Sequence, residues 1–224
     1  MQKIDRKSNL ESVIATAIDS SLKNIHTVLP GKIIEFYASE QLADIQPAIK
    51  RNINGELINL PVLTKVPVRF LKSGDFTITF PLKKDDEIAL YFIERSIDNW
   101  LQNGDIQSPD DYRKFDLSDA YAVPVLYSQK NKISDFDENN LVIKSTNGNS
   151  KIVLKKDGNI SIETKANTEI KSAKTIINND LEVTGTVKAQ AVEATNSLQI
   201  GGVEVGRHTH AGVQSGGANT APMI

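Results

Sequence analysis

The chain has 224 residues, 39% of them hydrophobic and 24% charged, with a formal net charge of -2. That balance excludes a global field that would draw in nucleic acid or an anionic membrane, and the absence of cysteine excludes disulfides, thiolate metal sites and cysteine nucleophiles. The longest apolar runs, such as "EIALYF" and "YAVPVLY", fall far short of the ~20 residues that span a bilayer, and the N-terminus is too polar for a signal peptide.

Ser8 to Leu29 predicts a helix. Ser8 with Glu11 resembles a capping box, and Leu10, Val13, Ile14, Ala17, Ile18, Leu22 and Ile25 recur at helical spacing. Pro30–Gly31 is the expected stop. Strands follow. "GKIIEFYASEQLADIQPAIKRN" reads as two strands around the turn "ASEQ", with Ile33, Leu42, Ile45 and Ile49 expected in the core. Asn54–Gly55 is a hairpin signal. "DFTITFPLKKDDEIALYFIER" reads as two strands joined by "KKDD", with Phe76, Ile78 and Phe80 alternating against Thr in the first. "SIDNWLQNG" is a short helix or turn carrying the single Trp, Trp100, and Pro124 argues against a central strand in "FDLSDAYAVPVL". About five short strands in this space predict a small barrel or sandwich.

The texture then changes. No Phe, Tyr or Trp lies beyond Phe136, yet nine of the 13 glycines do. A boundary is expected in the polar stretch "SQKNKISDFDENN". From Asn140, short β-branched runs are marked by Ile143, Ile152, Leu154, Ile162, Ile170, Ile177, Val183, Val187, Val192, Ile200 and Val205, at a drifting spacing of about seven to ten residues. A loose antiparallel meander is one reading. Against it, each strand offers one or two apolar side chains, too few to offset the ordering entropy of a single chain. Ile and Val are too frequent for disorder. A core shared between identical chains, as a narrow intertwined β-prism filled by Ile, Val and Leu, satisfies both constraints.

Two of the three histidines, His208 and His210, close the chain in "GRHTHAGVQSGGANTAPMI". In an extended strand residues i and i+2 share a face, so the pair can aim at one point, with Thr209 turned away. An idle exposed tail is the plain alternative. If the prism has three chains, three such pairs meet on the axis and offer six imidazole nitrogens. That set suits an octahedral transition metal better than zinc; iron(II), nickel and cobalt all fit. A site with every position filled by protein is structural. His26, remote in sequence, is given no role.

"DIQPAI", "LPVLTKVPV", "FPLKKDDEIALYFIERSIDNWL" and "DLSDAYAVPVL" resemble the N-terminal domain of the central spike proteins of contractile phage tails. "GRHTHAGVQSGGANTAPM" resembles the apex segment of those proteins and of the related baseplate assembly protein V family. The resemblance implies an all-β homotrimer. It divides the chain into an N-terminal helical segment (1–28), an OB-fold barrel (29–127), a linker (128–139), an intertwined triple-stranded β-helix (140–205) and a metal-bound apex (206–224). One iron (Fe) ion per trimer is implied, held by His208 and His210 of each chain. Implied partners are tail tube and baseplate proteins through the N-terminal domain, and the host outer membrane at the tip, with no nucleic acid. The implied place is the virion's baseplate tip, and the implied role is puncture of the outer membrane on sheath contraction. Residues 1–28 lie outside the resemblance.

Two other classes weigh against this one. An OB-fold can bind oligonucleotides or carbohydrates on aromatic platforms, but "KKDD" and "DIQSPDD" offer no basic track. A metalloenzyme built on His208 and His210 lacks a nearby acidic ligand, since no Asp or Glu follows Glu204. The chain is expected not to be an enzyme.

Overall fold

The computed structural model describes residues 10–53 and 55–205. The chain divides into two units, with the boundary after Ala166. The first begins with helix α1 (Leu10–Leu22). Strands β1 (Val28–Tyr37), β2 (Leu42–Pro47), β3 (Arg51–Ile53), β4 (Glu56–Ile58), β5 (Leu63–Pro67), β6 (Leu71–Ser73), β7 (Phe76–Ile78) and β8 (Glu87–Phe92) follow. Then come helix α2 (Asp98–Asn103), strand β9 (Ala120–Val123) and strands β10 (Leu141–Lys144), β11 (Ser150–Leu154) and β12 (Ile160–Thr164).

Five strands form an antiparallel sheet in the order β5-β2-β1-β8-β9. β1 is its centre, pairing with β2 from Gly31↔Pro47 to Tyr37↔Leu42 and with β8 from Val28↔Tyr91 to Lys32↔Glu87. A register shift between Ile33 and Glu35 adds the local twist that a bulge brings. The two ends of the sheet meet: Val68, just past β5, forms a parallel bridge with Ala122 of β9, and Arg69 N donates to Ala122 O at 2.8 Å. The sheet is thus curled into a half-barrel with a narrow parallel seam, the strand order of an OB-fold. Inside lie Ile33, Ala43, Ile45, Val66, Val68, Ile88, Leu90 and Ala122. Ala43 and Ile45 take alternate positions of "LADIQP", and Ile88 and Leu90 alternate positions of "EIALYF", the period-2 pattern of a pleated sheet.

Several details differ from the sequence reading. The helix ends at Leu22, and Pro30–Gly31 lie inside β1 rather than stopping α1. Pro30 sits beyond the last β2 partner, where β1 pairs with β8 and Pro30 O accepts Ala48 N at 2.8 Å. Ile33 and Ile45 are buried and Leu42 half-buried as expected, but Ile49 is exposed, because Pro47 ends β2 before it. Phe76 and Ile78 do not lead into β8. They fold back on β6 through Gly74–Asp75, with Gly74 at φ 53, and Phe76, Ile78 and Phe80 are exposed. "AYAV" is a strand, but the last one in the sheet order, with Pro124 just past its end, where proline is tolerated.

Beyond residue 140, β10, β11 and β12 form a three-stranded antiparallel meander, so this local pairing is the one the burial argument set aside. The second unit, as far as Val205, contains one short hairpin, β13 (Gln199–Ile200) with β14 (Val203–Glu204). Its turn residues Gly201 and Gly202 have φ 59 and 82, the conformation of a two-residue hairpin loop that favours glycine.

Gly31 holds the barrel centre together by having no side chain. A Cβ there would stand 2.7 Å from Ile45 Cγ2 and 3.0 Å from Leu90 Cδ1. Both neighbours are fully buried and have no room to withdraw. Gly31→Ala is expected to lower stability by about 1–3 kcal/mol, the usual cost of overpacking, read as a lower denaturation midpoint with an unchanged slope.

Candidate functional site

The sequence-derived metal ligands, His208 and His210, lie outside the described residues. Among the described residues, no group of three or more His, Asp or Glu is placed to hold a metal ion. His26 is half-buried, its ring tilted against Phe92 with centroids 5.5 Å apart and its backbone N–H donating to Phe115 O at 3.3 Å. Burial lowers its pKa, Arg51 adds to that, and Asp116 opposes it. These contacts give it a packing role.

The described chain presents a large aliphatic surface instead. In the meander, the cross-strand partners Leu141↔Leu154↔Ile160 and Ile143↔Ile152↔Ile162 form two rows of three on one face. All six side chains are exposed. The other face carries Val142, Val153 and Ser161, with Val153 buried. That side is tied to the preceding loop by Lys144 Nζ, which donates to Ser134 O at 2.7 Å and Asp135 O at 2.6 Å. One face of the meander is therefore partly covered by its own chain and the other is bare. The second unit repeats the theme: every described residue from Asn167 to Val203 is exposed, including Ile170, Ile176, Ile177, Leu181, Val183, Val187, Val192 and Ile200. Exposed aliphatic surface on this scale is more than a lone soluble domain usually leaves in water.

The barrel has a second notable feature, in the long connection from β8 to β9. Arg113 makes a two-pronged contact with Asp119, Nε to Oδ2 at 2.5 Å and Nη2 to Oδ1 at 3.0 Å. The same guanidinium reaches Asp98 at 2.6 Å and Asp111 at 2.8 Å. Asp119 is fully buried and also accepts Ile97 N at 3.1 Å. One arginine thereby fastens α2 and the loop to the sheet. The carboxylates hold the Arg113 pKa above its ordinary value, Asp119 contributing most. Sequence reading missed this hub. Its signal was a lone Arg set among the aspartates of "DDYRKFDLSDA". The connection also carries Asp105, Asp110 and Asp116, charges that repel phosphate, at the place where OB-folds present their ligand loops.

Breaking this pair from one side leaves Asp119 charged and dry. Arg113→Ala is expected to cost about 3–5 kcal/mol, while Arg113→Met with Asp119→Leu costs less, because no buried charge is left unpaired; chemical denaturation of the three proteins checks the order. Acid should loosen the same loop. The Arg113 backbone N–H bonded to the Asp111 carboxylate lowers its pKa, and the Ser118 hydroxyl does the same for Asp116. A depressed folded pKa gives stability that is present above the unfolded value of about 3.9 and is lost as pH falls through the folded one. Thermal melting should therefore be flat near neutrality and decline below about pH 4.

A curled five-stranded barrel followed by strands with uncovered aliphatic rows defines an all-β protein with an OB-like barrel. Residues 29–125 match the family model described as the N-terminal domain of phage protein Gp138. The match covers the whole barrel, from β1 to just beyond β9, and supports a phage structural protein, associated with the virion. No curated protein matches the chain. Among the described residues, no helix is long and apolar enough to cross a membrane.

Proposed function

We propose that the chain is the central spike of a contractile tail baseplate, acting as a homotrimer that punctures the host outer membrane when the sheath contracts. The observation that carries this reading is the bare aliphatic surface from Leu141 to Val203. Each Leu or Ile fully buried is worth roughly 1.5–3 kcal/mol, and the chain leaves these side chains in water. Three copies wound about one axis bury them on one another. Residues 140–205 then form the triple-stranded β-helix, and the Gly201–Gly202 turn lets the backbone reverse in the least space near its end.

At the apex, His208 and His210 of each chain hold one iron ion, six nitrogens in all. The ion ties together a tip too narrow for a hydrophobic core. The barrel supplies the contacts to tail tube and baseplate proteins. No step in this role is catalytic: the protein transmits thrust.

Native mass measurement with elemental analysis tests both levels on the full chain. A trimer with one iron ion is expected. His208→Ala with His210→Ala should lose the metal and keep the trimer, since the β-helix buries its own core. Sedimentation of a folded monomer at micromolar concentration overturns the spike reading. A trimer without a stoichiometric transition metal overturns the apex site alone.

A further inference from the structure

We infer that helix α1 is a second assembly element, its apolar face packed against the same helix of the other two copies. The inference rests on the trimeric reading above. The family match begins at residue 29, so nothing in it accounts for this helix.

α1 buries none of its residues. Leu10, Val13, Ile14, Ile18 and Leu22 are all at least half exposed. A helix about 20 Å long is marginal in water without a packed face, so this one needs a cover. Its root is fixed to the barrel. Arg51 Nη2 donates to Asn24 Oδ1 at 2.7 Å, and His26 packs on Phe92 just beyond. The helix is thus held out from a defined point.

Three features identify the occupant. At about 100° per residue, the apolar positions from Val13 round to Leu22 span roughly 180°. A two-helix seam needs a narrower stripe, whereas a helix touching two neighbours at once needs a broad one. The middle of the face holds Ser21 and Ile14, with Ala17 to one side, and the small Ser21 and Ala17 permit close approach. The Ser21 hydroxyl is already satisfied, donating to Ala17 O at 2.9 Å. Charge gives the third argument. Asp19 and Lys23 pair with each other on the opposite side, and Glu11 lies near one edge of the apolar face, between Ile18 and Leu22. A symmetric assembly brings like residues together near the axis, and a face with no charge at its centre suffers no repulsion there. A polar side with one lysine gives an anionic lipid surface little to attract. Chains already joined through residues 140–205 hold their helices at millimolar effective concentration, which makes even a weak bundle form.

The chain contains no cysteine, so single thiols report cleanly. Ser21 and Ser12 are nine residues apart, about 180° round the helix. Ser21→Cys and Ser12→Cys are therefore the same substitution on opposite faces. The full-length variants are oxidised mildly, sized by sedimentation and run without reductant. Ser21→Cys trimers should give a disulfide-linked pair of chains and one free thiol per trimer, while Ser12→Cys trimers stay uncrosslinked. Trimers in which Ser21→Cys gives no link, or links no faster than Ser12→Cys, overturn the helix proposal and leave the spike reading intact. A helix docked on another tail protein gives that same result. A monomeric protein overturns the trimeric reading, and the helix proposal falls with it.

Discussion

One imbalance governs this molecule. The barrel covers its own apolar side chains, and the segment beyond it does not. Ile33, Ile45, Ile88 and Leu90 vanish into a sheet that curls on itself, with Ala122 receiving a bridge from Val68 across the seam. Leu141, Ile143, Ile152, Leu154, Ile160 and Ile162 have no such second layer. A single three-stranded meander cannot wrap round its own rows. The aliphatic residues are spaced so that the chain alone leaves them uncovered, and whatever covers them adds its binding energy to the stability of this part.

The barrel was legible because its signals are local. Alternation in "LADIQP" and "EIALYF", the "ASEQ" turn and the Asn–Gly pair each act within a few residues, and β1 and β2 fall where those signals place them. Misreadings came where a non-local term decided. Phe76, Ile78 and Phe80 alternate like an inner strand, yet the Gly74 turn returns β7 to β6 and leaves them outside. Pro30–Gly31 has the form of a helix stop, but Gly31 is there because Ile45 and Leu90 leave no space for a Cβ. Proximity between strands distant in sequence cannot be read from a dipeptide.

The same division applies to the candidate sites. His208 and His210 stand out by residue type and spacing alone, and they lie outside the described residues. Sequence reading missed the Arg113 hub, because Asp98, Asp111 and Asp119 belong to different parts of a long connection and meet only once it is folded. The meander's aliphatic face was half legible: the residues were marked, but which of them share a face depends on the register Ile143↔Ile152↔Ile162.

The way the chain leaves the barrel has a mechanical meaning. It departs from β9, the last strand of the sheet, held to β8 by the pairs from Ala89↔Val123 to Phe92↔Ala120. Just outside, the Glu87 carboxylate accepts both the backbone N–H and the hydroxyl of Ser128. Tension on the tail meets that clamp first, and only then the pairs of β9 with β8 and its bridge to Val68. Compression puts no such load on them. The joint is thus loaded differently by a push than by a pull.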